Sequence, residues 1–258
     1  MFEIFIVSIV TFGAAILTFF SGFGLGTILT PVMMIFFPTE VAIALTGLVH
    51  FSNNIFKFFL VGKNIDKKVL ILFGLPSVIA SFIGAYLLIL IDSDIVIFSY
   101  NFFDKKIDVI LVKFLISILL IIFAIIDLIP QVNNLHFDKK YLPLGGFLSG
   151  FFGGLSGNQG ALRSAFLVKH GLEKSVFVAT IVAISSLVDI TRLSVYSTNF
   201  MNLNYSDFYQ LGVFSVVSAV AGSLIGNKLL KKVTIEQIKK LVALLLFLLG
   251  ISLLIGIL

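Results

Sequence analysis

Long apolar runs separated by short polar segments dominate the chain, and this pattern predicts membrane-spanning helices. The apolar stretches cover residues 4–21, 24–37, 41–60, 69–91, 107–127, 142–155, 160–168, 174–197, 207–227 and 236–258. Several reach the roughly 20 residues that an α-helix needs to cross a bilayer. The short alternating segments of a membrane β-barrel are not seen. We therefore predict an all-α membrane protein, a polytopic helical bundle.

Two glycine-rich segments interrupt this pattern, at Gly22–Gly26 and at Gly153–Gly160. Each separates two short apolar stretches, so we predict two hairpins of broken helix, over 4–37 and 142–168. Backbone that has lost its helical hydrogen bonds is tolerated at membrane depth only where it is buried in protein or lines a cavity. Paired breaks in corresponding halves therefore indicate a transporter's binding site.

The two halves of the chain follow one plan. We predict a first repeat over residues 1–130 and a second over 141–258, each a hairpin followed by full spans. The spans are 41–60, 69–91 and 107–127 in the first repeat, and 174–197, 207–227 and 236–258 in the second. An odd number of full crossings per half makes the second repeat inverted relative to the first.

The lysines orient this arrangement. With the N-terminus outside, the loops predicted inside carry Lys63, Lys67, Lys68, Lys139, Lys140, Lys169, Lys174, Lys228, Lys231 and Lys232. The loops predicted outside carry only Lys105 and Lys106. Cytoplasmic loops are enriched in Lys and Arg, so we predict a multi-pass membrane protein with both termini extracytoplasmic. The same asymmetry explains the net charge of +5 without a nucleic-acid partner.

Composition agrees with this class and narrows the chemistry. Hydrophobic residues make up 59% of the chain, charged residues 12%, and the mean hydropathy is +1.15. The chain has no cysteine, which excludes disulfides and iron–sulfur ligation, and its three histidines are scattered. We expect no metal and no organic cofactor, and membrane lipid as the surroundings.

Two predicted spans carry polar residues on one face. His50, Asn53, Asn54 and Lys57 recur at helical spacing on one span, and Ser185, Asp189, Arg192 and Tyr196 do so on another. A central charge facing lipid costs about 2.5–3.5 kcal/mol, so these faces should turn toward each other or toward a wet cavity. Structural alternatives are open: asparagines joining helices, an Asp189–Arg192 ion pair, a snorkelling Lys57 and a hydrogen-bonded core His50.

Arg163 lies in the first turn of the helix that follows the second break. A helix N-terminus already carries about +0.5 charge, so a cation there indicates that an anion binds at the same point. Asn158, Gln159 and Ser164 would complete a polar cradle, and the first hairpin would add backbone N–H groups around Gly24 and Gly26. Alternatively, Arg163 reaches a loop or Asp189.

The predicted cavity therefore combines Lys57, Arg163 and Arg192 with one carboxylate, Asp189, and a titratable His50. Its positive balance predicts a small anionic substrate, because guanidinium groups match the oxygens of carboxylate, sulfonate, sulfite or sulfate. We assign Arg163, Arg192, Asn158, Gln159, Ser164, Asn54, His50, Gly24 and Gly26 to substrate binding. Asp189, His50 and Lys57 are assigned to an ion pair or to coupling, with protons as the candidate coupling ion.

These features resemble the sulfite exporter TauE/SafE family, also called the toluene sulfonate uptake permease family. The resemblance rests on Gly22-Phe-Gly-Leu-Gly26, Glu40-Val-Ala-Ile-Ala-Leu-Thr46, Leu148-Ser-Gly-Phe-Phe-Gly-Gly154 and the Ala179-Thr180 step, and covers nearly the whole chain. It implies a carrier of sulfite, sulfonates or related organic anions in the bacterial cytoplasmic (inner) membrane. Polar residues stand at Thr27 and at Asn158-Gln159, where the family commonly has further glycines.

We predict a secondary transporter that moves a small anion by alternating access, and not an enzyme. Three alternatives remain: an anion channel on the same scaffold, a membrane subunit without transport, and an intramembrane enzyme. The enzyme would use Ser185 or Ser186 with His50 and Asp189, but the serines share the helix of Asp189 and no oxyanion-hole motif accompanies them.

Overall fold

The structure is a computed structural model that describes residues 1–19, 24–62, 64–91, 95–102, 105–129, 138–167, 172–200, 206–229 and 235–257. Its helices are α1 (Phe2–Thr18), α2 (Gly26–Phe36), α3 (Thr39–Val61), α4 (Lys67–Leu90), α5 (Leu111–Leu128), α6 (Leu142–Ser156), α7 (Gly160–Leu167), α8 (Lys174–Phe200), α9 (Ser206–Leu229) and α10 (Ile235–Leu254). Two strands, β1 (Val96–Phe102) and β2 (Lys105–Ile110), precede α5.

Four of these helices are long and apolar enough to cross a membrane in the described part of the chain. Their spanning segments are Thr39–Val61, Lys67–Leu90, Ser175–Thr198 and Phe208–Lys228. Shorter apolar helices accompany them at Phe2–Thr18, Gly26–Phe36, Leu111–Ile126 and Lys240–Leu254. The predicted class of multi-pass helical membrane protein is therefore confirmed.

A β-hairpin stands where we predicted a loop and the start of a span. Strands β1 and β2 pair antiparallel from Val96–Ile110 to Phe102–Lys105, so the span predicted over 107–127 begins instead at Leu111. Residues 106–109 alternate between charged and apolar side chains, and this two-residue period fits a strand better than a helix. A hydrogen bond from Tyr100 to the Ile255 carbonyl ties the hairpin to the end of α10.

One carboxylate in this hairpin is held ionised. Asp108 accepts a hydrogen bond from Ser99 across the strand pair, and Lys106 Nζ lies 3.0 Å from its Oδ1. Both contacts favour the charged form, and they lower the pKa of Asp108 below its ordinary value. The hairpin thus keeps one balanced charge pair beside its exposed apolar residues.

Both glycine breaks are present, and the second is shorter than predicted. Helix α6 runs through Gly153 and Gly154 to Ser156, Gly157 ends it with φ 77°, and α7 already begins at Gly160. In the first break, Gly24 has φ 80° and Gly26 begins α2, while residues 20–23 lie outside the described residues. Among the described glycines of the two breaks, Gly24 and Gly157 use the left-handed backbone that glycine adopts without strain.

The helices pack in a reciprocal pattern. Helix α1 packs on α9 and α4 on α6, while α3 packs on α8 and α5 on α10. Buried apolar residues from most of these helices form the core around α2 and the breaks.

The contact between α4 and α6 is the closest of these packings because glycines line it. A Cβ at Gly146, Gly150 or Gly154 would lie 2.2, 2.0 or 2.1 Å from the carbonyl oxygens of Phe73, Ser77 and Ser81. These glycines recur every four residues on α6, so they share one face. Small residues let two membrane helices bring their backbones into contact. Gly153 and Gly154 therefore continue a packing helix and do not open the break.

Candidate functional site

The polar side chains predicted for the site are all buried at the centre of the protein. Each is at most 4% exposed: His50, Asn54, Lys57, Asn158, Gln159, Arg163, Ser164, Asp189 and Arg192. Buried charges are costly unless they are paired or bind a ligand. The partners of each charge therefore indicate which groups are structural and which are available to a ligand.

Asp189 joins the polar faces of α3 and α8. Its Oδ2 lies 2.6 Å from His50 Nδ1 and accepts a hydrogen bond from Asn54 Nδ2 at 3.0 Å. Its Oδ1 accepts from Arg192 Nε at 3.0 Å, and Arg192 Nη2 lies 2.8 Å away. The two faces predicted from helical spacing do meet, and the Asp189–Arg192 ion pair belongs to a larger network between the halves of the chain.

The second break connects Arg163 to the same carboxylate. Gln159 Oε1 accepts a hydrogen bond from Arg163 Nη1 at 3.1 Å, and Gln159 Nε2 donates to Asp189 Oδ1 at 3.4 Å. Arg163 therefore contacts Asp189 through an amide and not directly. The Ser164 hydroxyl donates to the Gly160 carbonyl oxygen at 2.8 Å, a bond within its own helix.

The first break covers these groups from the opposite side. A Cβ at Gly24 would lie 2.9 Å from His50 Nε2 and 3.7 Å from Arg163 Nη2. A Cβ at Gly26 would lie 3.2 Å from the carbonyl oxygen of Gly157. The two breaks therefore meet, and we call this meeting point the Gly26–Gly157 contact.

A small cavity of about 20 Å³ lies on one side of this contact. Its polar wall includes His50, Asn54, Lys57 and Arg163, and its apolar wall includes Phe177, Val178, Ile181 and Val182. Lys57 Nζ lies 5.1 Å from the centre of the Phe19 ring, a distance at which a cation is attracted to an aromatic face. Among the described residues that line the cavity are two basic side chains, Lys57 and Arg163, and no carboxylate.

A second polar group lies around Gly157. A Cβ at Gly157 would lie 2.9 Å from Thr30 Oγ1 and 3.1 Å from Arg192 Nη1. Gly47 of α3 approaches the same guanidinium, since a Cβ there would lie 3.5 Å from Arg192 Cζ. Glycines of α3 and of the second break thus leave room for the Arg192 side chain.

The family of the chain can be stated at this point. A family model described as sulfite exporter TauE/SafE matches residues 7–253, which include both breaks and every residue of the central network. The chain belongs to this family. No curated protein and no solved structure matches it. TauE/SafE proteins are membrane transporters, so the apolar helices of this chain belong to a transmembrane transport protein.

Sequence reasoning missed several residues at the centre of this TauE/SafE protein. Thr30 and Thr46 are fully buried there, but each looked like an ordinary small residue in an apolar helix. Thr46 precedes His50 by one helical turn and Lys57 by three, so helical spacing alone could have added it. Thr30 and Gly157 could not be found in this way, because the fold brings them together across 127 positions of the chain.

The serines of the enzyme alternative have local partners in the TauE/SafE fold. Ser185 donates to the Ile181 carbonyl oxygen at 2.8 Å, and Ser186 donates to that of Val182 at 2.9 Å. His50 Nδ1 faces Asp189. A nucleophilic serine needs a base within hydrogen-bond reach of its hydroxyl, and these serines direct theirs at their own helix.

Proposed function

We propose that this TauE/SafE protein is a secondary transporter that carries a small oxyanion, such as sulfite or a sulfonate, across the bacterial cytoplasmic membrane. The observation that supports this most is the shared cavity of Lys57 and Arg163 beside the two breaks. Their positive charges face one small volume whose described lining contains no carboxylate. An anion that enters this volume balances charges that are otherwise costly to bury.

Most of the predicted site residues have a role in this proposal. Arg163 binds the anion through its guanidinium, and Gln159 fixes the orientation of that guanidinium. Lys57 adds a second positive charge, while Asn54 and His50 form the opposite wall. Asn158 offers an amide, and Gly24 and Gly26 allow the first hairpin to approach. Asp189 holds Arg192, which is not among the described residues that line this cavity.

The reciprocal helix packing supports an inverted repeat. Exchanging the halves turns the α1–α9 packing into the α6–α4 packing, and it leaves the α3–α8 and α5–α10 packings unchanged. A pseudo-two-fold axis through the Gly26–Gly157 contact gives this result, with repeats over 1–130 and 141–258. Inverted repeats around a central site are typical of carriers that work by alternating access.

The size of the cavity favours a carrier over a channel. At about 20 Å³ it holds roughly one water-sized molecule, which is less than a sulfonate needs. The anion therefore enters only when the hairpins separate from α3 and α8. Such separation on one side at a time is alternating access, whereas a channel needs a continuous path.

Protons are the proposed coupling ion. His50 and Asp189 share a hydrogen bond of 2.6 Å between the two halves, and His50 also lines the anion cavity. A proton taken up by this pair adds positive charge beside the anion and weakens the hold of Asp189 on Arg192. Uptake into vesicles should therefore change with an imposed pH gradient, and uptake that ignores the gradient would contradict proton coupling.

The test of the proposed function is binding of small anions to purified protein. We would measure thermal unfolding with sulfite, sulfate, methanesulfonate and acetate, for the wild-type protein and for Arg163→Ala and Arg163→Lys. An anion at about 100 times its Kd stabilises the folded protein by about 2.7 kcal/mol. We expect a sulfur oxyanion to stabilise the wild type, Arg163→Lys to respond weakly and Arg163→Ala to show no response.

Lys113→Ala is the matched control, because Lys113 is a half-buried cation at the start of α5, away from the central network. It removes the same charge and should keep the full response. Equal stabilisation in the wild type and Arg163→Ala would remove Arg163 from the site. Counterflow of labelled anion in vesicles would then separate a carrier from a channel, since only a carrier exchanges anion against its gradient.

A further inference from the structure

We propose a second anion-binding subsite on the other side of the Gly26–Gly157 contact, formed by Arg192, Thr30 and Thr46. It takes the same class of small oxyanion as the Lys57–Arg163 cavity, and it rests on the proposed anion transport. The anion passes between the two subsites when the hairpins separate.

Two threonine hydroxyls in this region are buried without a hydrogen-bond partner. Thr30 and Thr46 are both 0% exposed, and neither hydroxyl has a hydrogen-bond partner. Most buried threonines of the described helices do have one: Thr11 donates to the Val7 carbonyl oxygen at 2.6 Å, and Thr18 to that of Ala14 at 2.7 Å. Hydroxyls buried without a partner are uncommon in folded proteins and call for an explanation.

The Arg192 guanidinium has one side that is directed away from Asp189. Its Nε and Nη2 face Asp189, which leaves Nη1 on the side of Gly157, where Thr30 also lies. Nη1 has no hydrogen-bond partner of good geometry, and the Tyr196 hydroxyl one turn later is the nearby group that interacts with the guanidinium by charge and hydrogen bonding. One side of the Arg192 guanidinium thus binds Asp189, and its other side faces the Thr30 hydroxyl across Gly157.

The polar groups of the second subsite are suited to binding an anion. A guanidinium N–H and two hydroxyls are donors, and an oxyanion accepts from all of them. Asn158, which directly follows Gly157, is 1% exposed, and its amide also has no hydrogen-bond partner. Asp189 is the described carboxylate that contacts Arg192, and its second oxygen is already bound to His50 and Asn54.

The two subsites are separate along α3. Thr46, His50, Asn54 and Lys57 follow one another on a single face of this helix. At 1.5 Å per residue, Thr46 lies about 16 Å from Lys57 along the helix axis. Gly26 and Gly157 touch between these ends, since a Cβ at Gly26 would lie 3.5 Å from Thr46 Cγ2 and 3.9 Å from His50 Cδ2.

The test uses valine substitutions, which remove a hydroxyl and keep its shape. Wild-type, Thr30→Val and Thr46→Val proteins are reconstituted in lipid vesicles, and uptake of sulfite and of methanesulfonate is measured by ion chromatography of the vesicle contents. We expect the initial uptake rate to fall at least tenfold in both variants. Without anion, we expect their melting temperatures to stay equal or rise, because no hydrogen bond of the folded protein is lost.

Thr11→Val is the matched control. It removes an equally buried hydroxyl from α1 that is bonded within its own helix, so uptake should be unchanged. Uptake in Thr30→Val and Thr46→Val equal to that of Thr11→Val would overturn the second subsite. A parallel loss of melting temperature and uptake would also overturn it, because the hydroxyls would then be structural.

The same experiment separates this inference from the proposed function. Wild-type protein that transports neither anion and is stabilised by neither contradicts anion transport itself, and the second subsite with it. Wild-type uptake with unaffected threonine variants leaves the Lys57–Arg163 cavity in place and removes only the second subsite.

Discussion

Asp189 is the residue on which the central network depends. It contacts His50, Asn54, Gln159 and Arg192, and it is 0% exposed. Removing its charge leaves the Arg192 guanidinium buried without a counter-ion. Breaking one partner of a buried pair typically costs about 3–5 kcal/mol. We therefore expect Asp189→Asn to lower the free energy of unfolding by about that amount, measured by thermal or denaturant unfolding of the purified protein.

Ser186→Ala, on the same helix, is the control for this substitution. Its hydroxyl bonds only the carbonyl oxygen of Val182, so its loss should be small. An Asp189→Asn protein as stable as Ser186→Ala would show that Asp189 is not the counter-ion of Arg192.

Gly157 gives a second prediction at this scale. Its φ of 77° is costly for any other residue, and a Cβ there would crowd Thr30 and Arg192. Left-handed strain in a residue other than glycine costs about 1–3 kcal/mol, so we expect Gly157→Ala to lose about that much stability. Gly212→Ala, where a Cβ meets nothing within 4 Å, should be neutral or slightly stabilising by the same unfolding measurement. An equal change of stability in Gly157→Ala and Gly212→Ala would show that position 157 does not need a left-handed backbone.

Helical spacing predicted some of these residues and missed others for a physical reason. His50, Asn54, Asp189 and Arg192 were found because a charge in a membrane helix must turn inward, and periodicity shows which face does so. The contact of Thr30 with Gly157 depends on how the two breaks meet. That meeting is a long-range property, which no local pattern contains.

At the scale of elements, the α4–α6 contact is the most exacting. Ser77 also joins the two helices through a hydrogen bond from its hydroxyl to the Gly146 carbonyl oxygen at 2.9 Å. A Cβ at Gly150 would lie 2.0 Å from the Ser77 carbonyl oxygen, so the helices must separate to admit it. Overpacking of this kind costs about 1–3 kcal/mol. We expect Gly150→Ala to lower the melting temperature of the purified protein.

Gly13→Ala on α1 is the control, because a Cβ at Gly13 has open space around it. If Gly150→Ala and Gly13→Ala have the same melting temperature, the backbones of α4 and α6 are not in contact in the membrane.

Hydrophobic runs predicted most helices, because the bilayer requires about 20 apolar residues per span. They failed at two places where a second constraint decides the structure. Glycines at 153 and 154 suggested a broken helix, yet Gly154 serves close packing and stays helical. Residues 107–110 are apolar enough to extend a span, yet they pair with β1 instead.

At the scale of the whole molecule, the proposed topology places the β-hairpin and the start of α4 on opposite sides of the membrane. The chain contains no cysteine, so single cysteines report their side cleanly. We expect a membrane-impermeant maleimide to label Asn101→Cys in intact cells. Lys67→Cys should be labelled only after the cells are opened. The reverse result would invert the orientation, and labelling of both in intact cells would contradict the topology.

Lysine asymmetry predicted this topology from the sequence, and the paired breaks pointed to the centre of the molecule. The identity of the anion was not predictable in the same way. Guanidinium and ammonium groups bind many different oxyanions. Selection of one oxyanion over another depends on the dimensions of the open cavity. The cavity measures about 20 Å³ in this structure, and in the proposed carrier the selective dimensions form only when the hairpins separate.

The membrane potential acts on the positive charge of Arg163. It lies on α7, a helix of only eight residues that begins directly after the second break. The membrane potential contributes about 2.3 kcal/mol per 100 mV to a unit charge that crosses the whole bilayer. Any displacement of α7 along the membrane normal carries this charge through part of that field. In the proposed carrier, the resting voltage of the cell would therefore bias which side is open, even before an anion binds.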